Sequence, residues 1–439
     1  MIGLKIIRWF RLDTAALIFP AIKGNNWNNL FRVSATLKEE VDPSVLQTAV
    51  INLMPRFPSF YVKLRKGLFW NYLQNIDSPP AVREDYAYPL VFMGSAEMRT
   101  CCLRVLYYKN RIAAEFFHSV SDGTGGSIYL RTLVGEYLRL RHGITIEYDD
   151  SVLDPGDKPK VYELEDSFSK NAGKIAGREL GRKAYRLSGI REKGDFKHLI
   201  TAVTDSGILH AKAREHGGTV TAFLAGVMLQ TIIEIQSEEV PEGKEKPVRI
   251  TIPVNMRRLF GSRTLRNFVL TLNLGVDPRT GPYTLDELIG NITNQLALKA
   301  TKQNMAAEIA SNVGLQKNLF IRAVPIDIKH IFMKMGYSSY GEQLGCINIS
   351  NLGVVECPDP LKDYIDRIEF IIGPQQTYPN NCSVSTFNGK TFINMIRNTG
   401  GSDLERRFLT KLVELGIPLS VESNDIGGSE SQCTASSAE

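Results

Sequence analysis

The stretch EFFHSVSDGTGG at residues 115–126 decides how the rest of this chain is read. Residues 103–117 contain two apolar-rich runs around Lys109-Asn110, a pattern that predicts a β-hairpin. After the stretch, apolar residues recur at helical spacing over residues 130–138, which predicts an amphipathic helix. His118 is therefore predicted to end a strand, just before a glycine-rich turn that opens into a helix.

Two side chains in this stretch have chemical potential. A histidine that ends a strand has a fixed backbone, and its ordinary pKa of about 6.5 suits proton abstraction near neutrality. Asp122 lies across the turn and is expected to support the loop through a partner elsewhere in the chain. Gly123, Gly125 and Gly126 are expected to permit positive φ and close backbone approach. The alternative is that His118 is a satisfied core histidine and Asp122 an ordinary helix N-cap.

The segment resembles the His-x-x-x-Asp-Gly motif of the chloramphenicol acetyltransferase-like superfamily. That group includes peptide-synthetase condensation domains, polyketide-associated acyltransferases and alcohol acetyltransferases. Three further segments are similar to it in the same order, namely 11–13 (RLD), 253–257 (PVNMR) with 266–268 (RNF), and 350–353 (SNLG). The likeness is closest to the alcohol acetyltransferase and condensation-domain branch. The Asp-Phe-Gly-Trp-Gly signature of the plant BAHD acyltransferases is absent, which excludes that branch.

The resemblance implies an α/β fold of two similar domains with mixed sheets and an active-site tunnel between them. It makes His118 the general base that takes a proton from an acceptor hydroxyl or amine. Asp122 becomes structural and pairs with Arg257 across the turn. Gly123 lets the substrate approach the backbone. Catalysis on this interpretation needs neither a metal nor a covalent enzyme intermediate.

The oxyanion formed by attack on a thioester carbonyl needs a hydrogen-bond donor. The resemblance makes Ser350 or Asn351 the candidate for that role. The alternative is that residues 350–353 form a turn that merely ends an apolar strand.

The domain organisation follows changes in texture along the chain. Residues 1–160 are predicted to form the N-terminal domain that carries the motif, and residues 198–423 the C-terminal domain. Residues 161–197 are polar, with little periodicity, and are interpreted as a crossover linker. Residues 424–439 are rich in Gly, Ser and Glu and are predicted to be a disordered tail.

Several elements are predicted from caps and turns. A strand is expected over residues 31–37, and a helix follows Asp42-Pro43 as cap and first turn. A second helix is expected after a cap near Thr219, and a strand over residues 248–253. Asn388-Gly389 is the strongest hairpin signal in the chain.

Composition limits the class of protein. The 439 residues are 43% hydrophobic and 23% charged, with a formal charge of +5, which is ordinary globular composition. The basic residues are scattered along the sequence, which argues against a nucleic-acid partner and leaves room for an anionic ligand such as a phosphate-bearing thiol carrier. No Gly-x-Ser-x-Gly elbow, phosphate-binding loop or His-Glu-x-x-His metal motif occurs.

The six cysteines form no Cys-x-x-Cys pair, which favours reduced thiols and a reducing compartment. Charged residues interrupt the apolar N-terminus, and no run of 18 or more apolar residues occurs. We therefore expect a cytoplasmic protein without a transmembrane segment, and a monomer.

The expected function is transfer of an acyl group, with acetyl favoured, from acyl-CoA to an alcohol hydroxyl. A chain without an attached carrier domain fits a diffusible donor better than a docked one. The first alternative is a condensation-type acyltransferase that uses an acyl carrier protein and its phosphopantetheine thioester to form an ester or amide. The second is a catalytically silent relative that binds a ligand or partner. Acyl chain length and acceptor stay open at this point.

Overall fold

The structure is a computed structural model that describes residues 9–22, 24, 29–177, 181–192, 194, 196–340, 342–375 and 378–425. Most of the predicted tail lies outside the described residues. Its first two residues are in place, because the Asn424 side chain donates to Lys197 O at 2.9 Å and Asp425 pairs with Arg397.

The described chain contains both strands and helices. The strands are β1 (Trp9–Arg11), β2 (Leu30–Leu37), β3 (Val62–Lys66), β4 (Asn71–Asn75), β5 (Arg83–Glu84), β6 (Leu103–Tyr108), β7 (Arg111–Phe117), β8 (His198–Asp205), β9 (Val248–Asn255), β10 (Val269–Val276), β11 (Ile347–Val354), β12 (Ile365–Ile372), β13 (Asn380–Phe387), β14 (Lys390–Arg397) and β15 (Ser420–Ser423). The helices are α1 (Ile18–Ile22), α2 (Pro43–Leu53), α3 (Ser95–Met98), α4 (Gly123–His142), α5 (Ser167–Asn171), α6 (Ser206–Glu215), α7 (Val220–Glu239), α8 (Met256–Phe260), α9 (Leu285–Lys299), α10 (Lys302–Lys317), α11 (Leu319–Ala323), α12 (Ile326–Tyr340), α13 (Asp359–Lys362) and α14 (Asp403–Glu414).

The N-terminal sheet has five strands in the order β12-β2-β7-β6-β5. The predicted hairpin is confirmed, since β6 and β7 pair antiparallel and Tyr108 lies opposite Arg111. Helix α4 packs against β2 and β7 of this sheet, and α2 packs against α4. The predicted cap of α2 is confirmed as well, because the Asp42 carboxylate accepts from the backbone N–H groups of Ser44 and Val45. The sheet therefore holds the strand that ends at His118 between two neighbours.

The C-terminal sheet has seven strands in the order β10-β9-β11-β13-β14-β8-β15. It is mixed, because β11 runs parallel to both β9 and β13 while the other pairs are antiparallel. Asn388 and Gly389 adopt positive φ of 46° and 76° in the two-residue turn between β13 and β14, so that hairpin is also confirmed. A third, three-stranded sheet has the order β1-β4-β3. The mixed α/β class agrees with the sequence-based expectation.

One strand crosses between the two halves of the chain. β12 lies in the C-terminal segment but pairs antiparallel with β2 of the N-terminal sheet. Side chains of the C-terminal sheet satisfy its other edge: Ser383 Oγ donates to Phe370 O at 2.7 Å and Ser385 Oγ to Ile368 O at 3.0 Å. A division of the chain at residue 198 therefore does not coincide with the division between the sheets.

The predicted polar turn at residues 350–353 is not a strand terminus. β11 continues through these residues to Val354, with an irregularity in its pairing between Asn351 and Val354. Gly353 has a φ of 79°, which fits a bulge better than a chain reversal. Small and polar residues occur in β-bulges as well as in turns. This stretch therefore marks an irregularity in the pairing of β11 and not the end of the strand.

Among the described residues, one helix is long and apolar enough to span a membrane. That helix is α7, with a mean hydropathy of 1.4 over an 18-residue window that is 67% buried inside the fold. α7 begins at the predicted cap, where Thr219 accepts from the backbone N–H of Ala222. It packs against α9, α14 and β9, so its apolar residues form the C-terminal core.

Candidate functional site

His118 follows the last residue of β7, and two aromatic rings hold its imidazole. The Phe19 ring stacks on it with centroids 4.7 Å apart and planes 21° apart. The Phe31 ring meets it at 5.0 Å with planes at 61°. The backbone N–H of His118 donates to Asn29 O at 2.8 Å. The ring is thus fixed by α1 on one side and by β2 on the other, and it stays partly exposed.

Asn267 sets the tautomer of His118. Its side-chain Nδ2 donates to the backbone carbonyl of His118 at 2.9 Å, so its Oδ1 is the atom that faces imidazole Nδ1, at 3.1 Å. An amide oxygen only accepts, so Nδ1 carries the proton. Nε2 of the neutral ring then carries the lone pair and is the atom able to accept a proton.

Burial lowers the pKa of His118, partly offset by carbonyl oxygens of the same turn, the Asp122 charge and Asn267. The imidazole is therefore neutral at neutral pH. A neutral ring with a free lone pair is the form required of a general base.

Both carboxylate oxygens of Asp122 accept hydrogen bonds from other groups of the protein. Its Oδ2 accepts from Arg257 Nη1 at 2.9 Å and from the backbone N–H of Phe268 at 2.8 Å. Its Oδ1 accepts from the backbone N–H of Gly125 at 3.2 Å and caps α4. The predicted pair with Arg257 is formed, and the N-cap offered as an alternative is formed by the same carboxylate.

The other donors of Arg257 bind backbone carbonyl groups nearby in the sequence. Nε donates to Thr264 O at 2.8 Å and Nη2 to Arg266 O at 2.6 Å. Asn255 caps α8 through the N–H of Arg257 and reaches across to Thr124 Oγ1 at 3.0 Å. The guanidinium therefore links the two halves of the chain and is not directed at a ligand phosphate.

The glycines of the motif act by close approach, and the expectation of positive φ was wrong for all three. A Cβ on Gly125 would lie 2.2 Å from Ser121 Oγ and 2.3 Å from Leu265 O. A Cβ on Gly126 would lie 2.6 Å from the Phe31 ring, and one on Gly123 3.0 Å from the Phe370 ring. These positions bring α4 against its neighbours, and the space beside Gly123 is occupied by a side chain.

The structure separates the two oxyanion candidates. Ser350 pairs in register with Ser383, whose hydroxyl points to β12 of the N-terminal sheet, so Ser350 lies on the face between the sheets. Asn351 pairs with Val384 of the C-terminal core, and its Nδ2 donates to Thr221 Oγ1 in α7 at 3.0 Å. Ser350 remains a candidate, whereas Asn351 is tied into the opposite face.

The segments that carry the sequence resemblance meet in space. Arg266 Nη2 donates to Arg11 O at 2.5 Å and lies 3.6 Å from the buried carboxylate of Asp13. Asn267 Nδ2 lies 3.4 Å from Asp13 Oδ2. Burial raises the pKa of Asp13 to about 6. Sequence reasoning quoted Asp13 and Asn267 but gave neither a role, and nothing local to those residues indicates one.

Neither the cysteine thiols nor a metal-binding cluster forms a second reactive site among the described residues. The five cysteines in the described part of the chain are free and buried. Burial raises the pKa of the Cys346 and Cys382 thiols to about 12, so neither is a thiolate near neutrality. No group of three or more His, Cys, Asp or Glu side chains among the described residues is placed to hold a metal ion.

Neither the protein-family models nor the curated proteins contain a match to this chain. Solved structures do match over nearly the whole length. TRI101 from F. sporotrichioides, complexed with coenzyme A and T-2, has a TM-score of 0.59 at 11% identity, covering 94% of this chain and 99% of that one. The first condensation domain of the CDA synthetase gives 0.57 at 12%, covering 94% and 97%. Polyketide synthase associated protein 5 from Mycobacterium tuberculosis gives 0.55 at 15%, covering 94% and 98%.

These structures show that the chain shares the fold of acetyltransferases and condensation domains. The fold that the motif resemblance implied is thereby confirmed, and at this low identity the likeness concerns the fold alone.

The Asp122–Arg257 pair predicts strong coupling in a double-mutant cycle. Asp122→Asn and Arg257→Ala are each expected to lower the free energy of unfolding by about 3 kcal/mol, because each strands a buried polar partner. The double variant is expected to lose much less than the sum, as measured by urea unfolding. The exposed pair of Lys212 and Glu215 is the matched control, and its removal is expected to leave the unfolding midpoint unchanged. Additive losses would show that the pair is not a unit.

The Asn267 contact predicts an imidazole tautomer that nitrogen NMR can read directly. His118 is expected to show a protonated Nδ1 and an unprotonated Nε2, and to titrate below its ordinary pKa of 6.5. Asn267→Ala removes the acceptor and is expected to shift the population towards protonated Nε2. Exposed His210 is the internal control and should not change. A wild-type His118 with protonated Nε2 would contradict the assignment.

Proposed function

We propose that this chain is a thioester-dependent acyltransferase that moves an acyl group from acyl-CoA to an alcohol hydroxyl, with His118 as general base. The observation that carries the proposal is the neutral imidazole at a strand end, with Asn267 on Nδ1 and the lone pair on Nε2. The shared fold with acetyltransferases and condensation domains supports the reaction class.

The reaction is a single displacement at the thioester carbonyl. His118 Nε2 takes the proton of the acceptor hydroxyl while that oxygen bonds to the carbonyl carbon. The tetrahedral intermediate then breaks its carbon–sulfur bond, and the imidazolium returns the proton to the leaving sulfur. The products are the ester and the free thiol. A lowered pKa favours this return, because a weakly basic ring gives the proton up readily.

Ser350 is the proposed donor to the oxyanion. It lies on the face between the sheets, two residues before Leu352, whose Cδ1 lies 3.5 Å from where a Gly123 Cβ would be. Asn351 takes a supporting role, since its amide binds Thr221 and its Oδ1 accepts from the Gly353 N–H at 2.8 Å. Asp122 and Arg257 hold the halves together so that Asn267 reaches the ring.

Acyl-CoA is the proposed donor because four of the similar structures contain a CoA species. Two are mutants of the starter condensation domain of rhizomide synthetase in complex with C8-CoA, and two are TRI101 proteins with coenzyme A or ethyl coenzyme A. A carrier-borne thioester shares the pantetheine and stays the alternative, since condensation domains have the same fold. The free, buried cysteines support a reducing, cytoplasmic location.

A thiol-release assay tests the proposal. Acetyl-CoA and longer acyl-CoAs are offered with a panel of alcohols, and saturable thiol release is expected. His118→Gln should lower kcat by about 10²-fold or more, since it removes the base. His210→Gln is the matched control and should be unchanged.

Unaltered turnover in His118→Gln, with its folding verified by circular dichroism, would refute the base. Rates near zero with CoA esters, rescued by the same acyl group on a carrier protein, would replace the donor. No turnover with either donor would favour the silent binding relative.

Ser350 and Asn351 give a paired prediction. Ser350→Ala should lower kcat by about 10²-fold, the usual effect of losing one oxyanion donor, with stability nearly unchanged. Asn351→Ala should chiefly lower the melting temperature, since it breaks two contacts that hold β11 to α7 and to its own bulge. The reverse pattern would make Asn351 the donor.

A further inference from the structure

Helix α12 is amphipathic, and its apolar face points to solvent instead of to the core. Ile328, Ile331, Phe332 and Met335 follow the spacing of one helical face, and they are 45–66% exposed. Besides Ile326 at its first position, the buried side chain in the described part of α12 is a lysine, Lys329, which is 4% exposed. A surface helix ordinarily turns its apolar face to the core. This one directs it outward.

The neighbouring elements extend the same apolar surface. Leu315 in the last turn of α10 is exposed, and Leu319 and Phe320 on α11 are 75% and 86% exposed. The tip of the β3–β4 hairpin adds Leu68 and Phe69, which are 71% and 41% exposed. Of the 22 large hydrophobic side chains exposed in the described part of the chain, nine lie in residues 63–71 and 315–335. We call these two segments the apolar face.

Direct contacts hold the two segments together. Lys329 Nζ donates to Phe69 O at 2.8 Å and to Arg322 O at 3.2 Å, and it lies 3.6 Å from the Trp70 ring centroid. The Ile326 N–H donates to Leu68 O at 2.9 Å. The buried lysine therefore holds the hairpin tip against α12, and the two form one surface.

The charge of this surface is strongly one-sided. Residues 63–71 and 315–335 contain seven basic residues and one acidic residue, a formal +6, whereas the whole chain carries +5. The single acid, Asp327, is paired with Lys66. Seven of the 52 basic residues thus lie in two segments that the fold brings together, with a single acidic residue among them. Exposed apolar and aromatic side chains with Lys and Arg around them are the pattern of a helix that lies on an anionic lipid surface.

The apolar face is also close to the candidate site. α12 packs against α1, and α1 carries Phe19, whose ring stacks on His118. A surface bound to α12 lies one helix away from the imidazole.

We infer that the apolar face docks this protein onto an anionic phospholipid membrane. Phe320 and Phe332 enter the acyl region, while Lys317, Arg322 and Lys334 face the headgroups. A lipid-soluble acceptor or acyl donor then reaches the site from the membrane. The docking itself does not depend on the proposed acyl transfer.

Vesicle flotation of the full chain tests the inference. Vesicles of phosphatidylcholine alone are compared with vesicles of equal parts phosphatidylcholine and phosphatidylglycerol. Binding to the anionic vesicles is expected to be about tenfold stronger and to weaken as salt is added. Phe320→Ser/Phe332→Ser should lower it about tenfold, and Lys317→Glu/Lys334→Glu should remove the preference for anionic lipid.

The matched control is Val161→Ser/Ile190→Ser, which removes two apolar side chains that are 82% and 88% exposed elsewhere on the surface. It should bind as the wild type does. Absence of flotation, equal binding to both vesicles, or unchanged binding in the Phe320/Phe332 variant would each overturn the inference. So would a dimer in light scattering that the same variant abolishes, because the face would then belong to a second copy of the chain.

Discussion

The buried contact between Asp122 and Arg257 is the constraint on which the site depends. It joins the turn after β7 to helix α8, two segments separated by more than a hundred residues. The same carboxylate accepts from the Phe268 N–H and thereby fixes the backbone next to Asn267. Neither charge is well placed to serve a substrate, because both are saturated by protein partners. Their role is geometric, and a buried pair suits it since a stranded partner is costly.

That constraint explains how an isolated histidine acquires the properties of a base. The strand end fixes the backbone of His118, and Phe19 and Phe31 fix the plane of its ring. Asn267 then chooses the tautomer from the other half of the chain. Burial keeps the imidazole neutral by lowering its pKa. Each contribution is weak alone, and together they leave one nitrogen with one available lone pair.

The apolar face shows the opposite use of the same forces. The core of each half takes up apolar side chains from sheets and helices, α7 included, and among the described residues the outward stripe of α12 belongs to neither core. Exposed apolar area of this extent is destabilising in water unless a partner covers it. The buried lysine holds the hairpin against α12. Burying an ammonium group is costly without such contacts, which indicates that the fold maintains this surface.

The sequence alone determined the elements and the chemistry of single residues. The hairpin before His118, the caps at Asp42 and Thr219, and the Asn388-Gly389 turn are local, because each rests on dihedral preferences and hydrogen bonds within a few residues. The partner of Asp122 was reachable only through the family resemblance. Tertiary structure decided the rest: the crossing of β12, the opposite faces of Ser350 and Asn351, the role of Asn267, and the gathering of basic and apolar residues on one surface. These depend on which strands become neighbours and how a bulge sets their register, and no short stretch of sequence contains that information.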